Sequence, residues 1–410
     1  MAQRFLLEPP PWTLTPLTPT TITIAANATA TIKYLITNQS KRPHNLVMTP
    51  IHGINQITTP GNCQNPIILG SLESCTLNLQ VVGSALNANG ITSGPVVCEK
   101  SNPLQCYKAC EPNSLDITLV PAPANLVVNT ETLVLSGLSP EVTLTGVARK
   151  LIITNDGDLP ATGVTATDPG GWPTDTTVTG TTVTGNTCTG VTLASGESCE
   201  VTINPGSTTT DGCDVNDNNE PTPNIVPVIS TNANSLNPGV VVLGYGCLFQ
   251  GGRVFSIDDT TPDTESIGAK VLNDLATFID WTADYDNDLE GPNPNSDGAG
   301  NTAAIVANTT SCTNGFCAAL ECSISSSGGY NDWYLPATCE LGPGGNGITC
   351  TPTTNNIATN CSSCVSPGGY WSSTQDSSSR AWGDNPQFPG NFTEWKDDQS
   401  QVVCIREITT

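Results

Sequence analysis

Two separated stretches of this chain carry the same pattern, and that repetition limits the fold more than any other feature. The first reads Lys33-Tyr34-Leu35-Ile36-Thr37-Asn38, then Gly61-Asn62-Cys63, then Leu69-Gly70-Ser71-Leu72-Glu73-Ser74-Cys75-Thr76-Leu77. The second reads Lys150-Leu151-Ile152-Ile153-Thr154-Asn155, then Gly185-Asn186-Thr187-Cys188, then Leu193-Ala194-Ser195-Gly196-Glu197-Ser198-Cys199-Glu200-Val201. A strand ending in Thr-Asn and a pair of nearby cysteines recur in the same order. Alternating segments such as Thr21-Ile22-Thr23-Ile24 and Thr143-Leu144-Thr145-Gly146-Val147 accompany them, punctuated by Pro, Gly and Asn. Period-two alternation with frequent turn residues predicts two antiparallel β-sandwiches of about a hundred residues each, over 1–120 and 121–248. Each repeated cysteine pair is expected to staple a hairpin, Cys63 with Cys75 and Cys188 with Cys199.

The chain has 17 cysteines but only two histidines, His44 and His52. Zinc binding requires suitably spaced thiolates, and the single CxxC, Cys361-Ser362-Ser363-Cys364, has no second pair at zinc-ribbon distance. Disulfides formed in an oxidising compartment are therefore the expectation, and the odd count leaves at least one thiol over. Cys98, Cys106 and Cys110 follow the first copy. Cys213 and Cys247 follow the second and join the disulfide-bonded set. No stretch approaches the ~20 apolar residues of a membrane span. The opening Met1-Ala2-Gln3-Arg4 has no hydrophobic signal region, so an exported form is expected to have lost its signal or lipoprotein segment.

A formal charge of −24 disfavours nucleic acid and anionic lipid, both of which reward Lys and Arg. Asp214-Val215-Asn216-Asp217-Asn218 matches one calcium-binding element of cadherin linkers, but the companion motifs are missing and a solvated polar loop is the better reading. Asp284-Tyr285-Asp286-Asn287-Asp288 starts like an EF-hand, yet Leu289 replaces the required Gly and Asn295 the closing Glu; only a calcium site of another kind stays open there. No metal or other cofactor is expected.

From Gly251 the texture changes. Ile267, Val271, Leu272, Leu275, Phe278 and Ile279 fall at helical spacing and predict an amphipathic helix. A second is expected through Ala303-Ala304-Ile305-Val306 and a short third from Phe316 to Cys322. There follow Gly328-Gly329-Tyr330-Asn331-Asp332-Trp333-Tyr334-Leu335-Pro336, Cys339-Glu340-Leu341, Tyr370-Trp371-Ser372-Ser373-Thr374, Ala381-Trp382 and Val403-Cys404-Ile405-Arg406. With the opening Gly251-Gly252-Arg253-Val254-Phe255, these ordered motifs resemble the family named for the C-terminal domain of bacterial collagen-like adhesins. Val403 stands where that family usually has Arg. The resemblance covers 249–410 and implies an α+β, C-type-lectin-like domain of the branch shared with formylglycine-generating enzymes, following two all-β immunoglobulin-like sandwiches.

Members of that family include surface adhesins and the variable proteins of diversity-generating retroelements, in which an error-prone copy made at template adenines replaces the gene's 3′ end. The resemblance therefore implies a variable region over about 370–407 between two fixed strands. The stretch from 375 to 400 has neither helical nor strand period. Free substitution at the first two bases of an Asn codon yields Asn, Ser, Asp, Thr, Gly, Arg, Pro and Phe, but not Trp, Glu, Gln, Lys or Met. Asp376, Ser379, Arg380, Gly383, Asp384, Asn385, Pro386, Pro389, Asn391, Phe392, Thr393, Asp397 and Asp398 are compatible with that origin. They form the candidate ligand-binding set together with Trp395, which needs another codon. Trp395 and Phe392 are the expected aromatic anchors, and Arg380 suits a carboxylate or sulfate. Tyr370, Trp371, Trp382, Trp333 and Leu335 are expected in the core. An ordinary solvated loop is the competing reading of the same stretch.

No histidine follows His52, which removes His-dependent triads from this region. Asp332, Glu340 and Glu394 are the carboxylates available for glycoside hydrolysis, but their spacing does not favour it. The reading is a non-enzymatic, monomeric protein on the bacterial outer surface, binding a protein or glycan on another cell or surface. Its alternatives are a fixed-specificity glycan adhesin and, more distantly, a carboxylate-based glycosidase.

Overall fold

A computed structural model of the chain describes residues 10–137, 146–168, 170, 172, 177–179, 186–211, 213, 215–282, 294–307, 312, 317–352 and 354–408. The expected strand at Thr143–Thr145, the start of the Asp214 element, the acidic run from Asp284 to Asp288, and Phe316 lie outside them.

The repeat in sequence is a repeat in topology. The first sheet orders Trp12–Pro16, Thr29–Asn38, Ser74–Val82 and Ile54–Ile57; its counterpart orders Leu126–Val128, Arg149–Asn155, Ser198–Asn204 and Thr177–Thr179 in the same way. In both copies the leading strand is split. Its first half pairs antiparallel in this sheet, and its second half crosses over to pair parallel with the last strand of the sandwich. Those parallel pairs are Thr21–Ala25 on Asp116–Val120, and Thr132–Ser136 on Gly239–Leu243. Within Thr29–Asn38 the alternate residues Ile32, Tyr34, Ile36 and Asn38 are buried, as a strand with one face on a core requires.

The repeated polar letters have structural jobs. Asn38 ends its strand fully buried, donates from Nδ2 to the carbonyls of Arg42 (2.7 Å) and Gly70 (2.8 Å), and accepts from the Ser40 amide (2.8 Å). Asn155 does the same with Leu159 (2.9 Å), Leu193 (3.0 Å) and the Gly157 amide (3.1 Å). The preceding Thr37 and Thr154 bond to Ser74 and Ser198, while Glu73 and Glu197 accept from the amides of Gly70 and Ala194. Each Asn thus satisfies loop carbonyls that a sandwich corner otherwise buries bare. Asn38→Ala and Asn155→Ala are each expected to cost about 1–3 kcal/mol, the penalty of orphaned buried polar groups, seen as a lower denaturation midpoint with an unchanged slope.

The disulfides Cys63–Cys75 and Cys188–Cys199 form as expected, but they do not close hairpins. Cys63 lies on the connection from Ile54–Ile57 in one sheet to Ile67–Leu69 in the other, so its bond ties a sheet-crossing loop to the Ser74–Val82 strand. Cys98 joins Cys106 and Cys213 joins Cys247, and the unpaired thiol is the exposed Cys110.

From residue 248 onward, the part called the head below, the strands of the main sheet are numbered β1 to β7 and the helices among the described residues α1 to α4. The strands are Leu248–Phe249 (β1), Gly252–Asp258 (β2), Gly268–Asp280 (β3), Tyr370–Gln375 (β4), Arg380–Asp384 (β5), Phe392–Trp395 (β6) and Gln399–Glu407 (β7). The helices are Gly298–Ala307 (α1), Ala318–Ser323 (α2), Thr338–Leu341 (α3) and Ile357–Asn360 (α4). One seven-stranded sheet runs in the order β1-β2-β3-β7-β4-β5-β6.

The helix expected over 267–279 is instead β3. This strand is buried on both faces: Ala269 and Val271 enter one core, while Leu272 joins Phe255, Tyr370, Val403 and Ile405 in another. A register break between Asp274 and Phe278, with Ala276 at φ 50°, then inserts two extra residues and keeps the parity, so Leu275 and Ile279 still pack on the first core while Phe278 is exposed. Two-sided burial followed by a bulge imitates helical spacing. The helix expected at 303–306 is α1, and α2 covers most of the third.

The head's motifs close on one another. Buried Arg406 grips Asp332 through Nε–Oδ1 (2.6 Å) and Nη2–Oδ2 (3.0 Å), with its guanidinium 3.9 Å from the Tyr330 ring. Glu340 accepts from the Ala337 amide (2.8 Å), Lys270 Nζ (2.6 Å) and Tyr334 Oη (3.2 Å). Trp371 and Trp281 donate to the carbonyls of Ile279 and Ser372.

The head is not a bead on a string. Its main core continues into Val134, Val241 and Leu243 of the second sandwich. Fully buried Arg149 reaches the β2–β3 loop, donating to the carbonyls of Glu265 (2.6 Å), Pro262 (2.7 Å), Asp259 (3.0 Å) and Thr261 (3.3 Å). Asn129 Nδ2 donates to Thr264 O, the Val134 amide to Ser266 Oγ, and the Ile267 amide to Val134 O.

Candidate ligand-binding face

Strands β5 and β6 occupy one edge of the sheet, within the stretch that sequence left without a period. Register pairs Arg380 with Trp395, Ala381 with Glu394, Trp382 with Thr393, and Gly383 with Phe392. Because side chains alternate across a sheet, Arg380, Trp382, Thr393 and Trp395 share one face. Ala381, Gly383, Phe392 and Glu394 share the other. Ala381 belongs to the core, whereas Arg380, Trp382 and Thr393 are partly exposed and Trp395 is exposed, so the first set faces outward; Asp384, next on the same side, is instead buried against Gly342. Its period was hidden: the outward face carries two tryptophans and the inward face a glycine, which inverts the usual apolar-in, polar-out signal.

The outward set is tied together. The Arg380 guanidinium lies 4.8 Å from the Trp395 ring centroid and donates to Thr393 Oγ1 at 3.1 Å. Trp395 is 47% exposed. Two turns meet at this end, 376–379 after β4 and 396–398 after β6, joined by the Lys396 amide donating to Ser379 O. Asp376, Asp397 and Asp398 are exposed on these turns, and Ser379 is partly so. Beneath them Lys396 is fully buried. Its ammonium donates to Ser378 O (2.7 Å) and Gln375 Oε1 (2.8 Å) and sits 4.9 Å above the Trp281 ring. A lone lysine in a polar run carries no local mark of burial.

Five members of the candidate set are corrected. Gly383, Asp384, Pro386 and Asn391 are buried and present no side chain to a ligand. Asp384 accepts from the Gly390 amide (3.1 Å) and packs against Gly342, and burial holds its carboxyl above the usual range. Asn391 accepts Asn346 Nδ2 at its carbonyl. Phe392 is corrected as an anchor, since its ring packs inward on Gly369 and Gly383. Asn385 is partly buried, and Pro389 is exposed beside Phe388 in the β5–β6 loop. Tyr370, Trp371, Trp333 and Leu335 are buried as expected, but Trp382 is partly exposed on the outward face.

A Cβ on Gly383 would stand 2.5 Å from the Phe392 ring and 2.7 Å from Tyr370 O. Gly383→Ala is therefore expected to cost about 1–3 kcal/mol through overpacking, whereas Ser379→Ala costs under about 0.5 kcal/mol; thermal unfolding of the two variants separates the cases.

The carboxylates considered for hydrolysis hold other partners: Asp332 has Arg406, Glu340 has Lys270, and Glu394 accepts from Ser400 Oγ at 3.0 Å. Around the cadherin-like element, the Asp217 carbonyl accepts from Arg253, and Glu220 accepts from the Gly251 amide, so this polar loop docks on the head. Among the described residues no group of three or more His, Cys, Asp or Glu is placed to hold a metal, and no helix is long and apolar enough to cross a membrane.

No family model and no curated protein matches the chain. Among solved structures, a protein of unknown function from Porphyromonas gingivalis W83 aligns over 57% of this chain and 99% of its own at 13% identity, with a TM-score of 0.19. The Dpr2 Ig1-Ig2 structure in complex with DIP-Theta Ig1-Ig3 aligns over 57% and 99% at 12% identity, TM-score 0.23. A fimbrial protein from Bacteroides ovatus ATCC 8483 aligns over 90% and 95% at 10% identity, TM-score 0.25.

Proposed function

We propose that the chain is a receptor or adhesin of the bacterial outer surface, in which two immunoglobulin-like sandwiches carry a C-type-lectin-like head with a retroelement-diversified binding face. The observation that carries this reading is the division of labour in the head. Motif residues build the central strands β4 and β7 and both cores, whereas exposed Asp376, Trp395, Asp397 and Asp398, with partly exposed Ser379, Arg380 and Thr393, lie on the edge strands and their turns. Side chains there can be exchanged without opening a core. The disulfide count supports an oxidising, extracytoplasmic setting.

The test is a display library of the full chain with codons 376, 379, 380, 393, 397 and 398 randomised. Most members are expected to fold, and selections against unrelated proteins to return different sequences at these positions. A library that mostly unfolds, or yields no binders, overturns the reading.

A further inference from the structure

We infer that the outward face of β5 and β6 takes a cationic protein segment, one or more lysine or arginine side chains laid against Trp395 and Trp382. This rests on the reading of that face as a binding surface and adds the chemistry of its partner.

Trp395 is 47% exposed and Trp382 partly exposed on the outward face, beside the last strand of the sheet. Large rigid rings on such a face are the anchors of a protein interface. Three exposed carboxylates, Asp376, Asp397 and Asp398, rim the Trp395 end. Two positive charges lie nearby: Arg380 stacks on Trp395 and bonds Thr393, and Lys396 is buried beneath the turns. An incoming ammonium or guanidinium meets a half-exposed indole and three exposed carboxylates that outnumber the two nearby cations, the partners that favour it most. The chain's −24 charge draws a cationic partner toward the face and repels an anionic one.

The probe is a fluorescent short peptide of alternating lysine and glycine, compared with a glutamate–glycine peptide and a neutral oligosaccharide, by anisotropy on the full chain. The triple variant Asp376→Asn, Asp397→Asn, Asp398→Asn is expected to weaken lysine-peptide binding about tenfold. Trp395→Ala is expected to weaken it severalfold at physiological salt. A control with the same charge change elsewhere, Glu111→Gln, Asp116→Asn, Glu131→Gln, is expected to change it less than about twofold, since distant exposed charges are screened. Equal weakening by both triples would mean general attraction to an acidic chain and would overturn the inference. Preferential binding of the oligosaccharide, lost in Trp395→Ala and Trp382→Ala, would also overturn it while leaving the face a binding site. If no probe responds to any face variant and the library yields no binders, the binding-face reading itself fails.

Discussion

Replacing Arg149 with alanine is expected to destabilise the second sandwich and the head together by about 3–5 kcal/mol, the range for removing one side of a buried charged network. The guanidinium is fully buried and is shared among four carbonyls of the β2–β3 loop. Burial pulls its pKa below the ordinary value, while the carboxylates of Asp259, Asp258, Asp263 and Glu265 push it back up. Without it those carbonyls lose their charge-assisted donors. A loss of this size in a unit this large lowers Tm by roughly 5–15 °C. In the native chain the second sandwich and head are expected to unfold in one transition, because they share a core. In the variant the transition splits, and proteolysis begins at the loop around Asp259–Glu265. Arg149→Lys is expected to recover only part of the loss, since one ammonium cannot reproduce a planar five-donor fork. An Arg149→Ala chain that melts as the native one does would show that the two units are independent.

The second large effect concerns Cys322 and Cys404, which join α2 to the middle of β7 across 82 residues of chain. Chain entropy alone assigns about 4.5 kcal/mol to closing a loop of that length. The loop contains all of β4, β5 and β6, so the bond restrains the very segment that carries the proposed binding face. Cys322→Ala with Cys404→Ala is expected to lower stability by about 2–5 kcal/mol. Cys361 and Cys364, three positions apart, close a far shorter loop, and their double alanine variant should cost much less. Equal losses from the two pairs in urea denaturation would contradict a loop-length effect.

What could be read from sequence was what is local. The Thr-Asn and Glu-Ser-Cys signatures were legible because their partners lie nearby or at matching positions in the second copy. The head's motifs were legible as an ordered set. Arg149 was not, because its partners are backbone carbonyls more than a hundred residues away and carry no side-chain code. Strand β3 was misread because its two faces enter different cores, which removes the alternation that marks a half-buried strand. The short helices α3 and α4 have too few residues to show a period. At the proposed binding face, the bracketing motifs set the stretch apart, but only register separated Arg380, Trp382, Thr393 and Trp395 from inward Gly383 and Phe392.

The central claim, exchangeable side chains on a fixed frame, is tested most directly by deep-sequencing this gene from many cells of its source and searching its flanks for a near-copy of codons 370–407. The account expects variation concentrated at the exposed and partly exposed positions 376, 379, 380, 385, 393, 397 and 398. Tyr370, Trp371, Trp382, Gly383, Lys396 and Cys404 are expected to stay unchanged, and mismatches to the near-copy to fall at its adenines. A uniform gene with no near-copy in its flanks would contradict the claim.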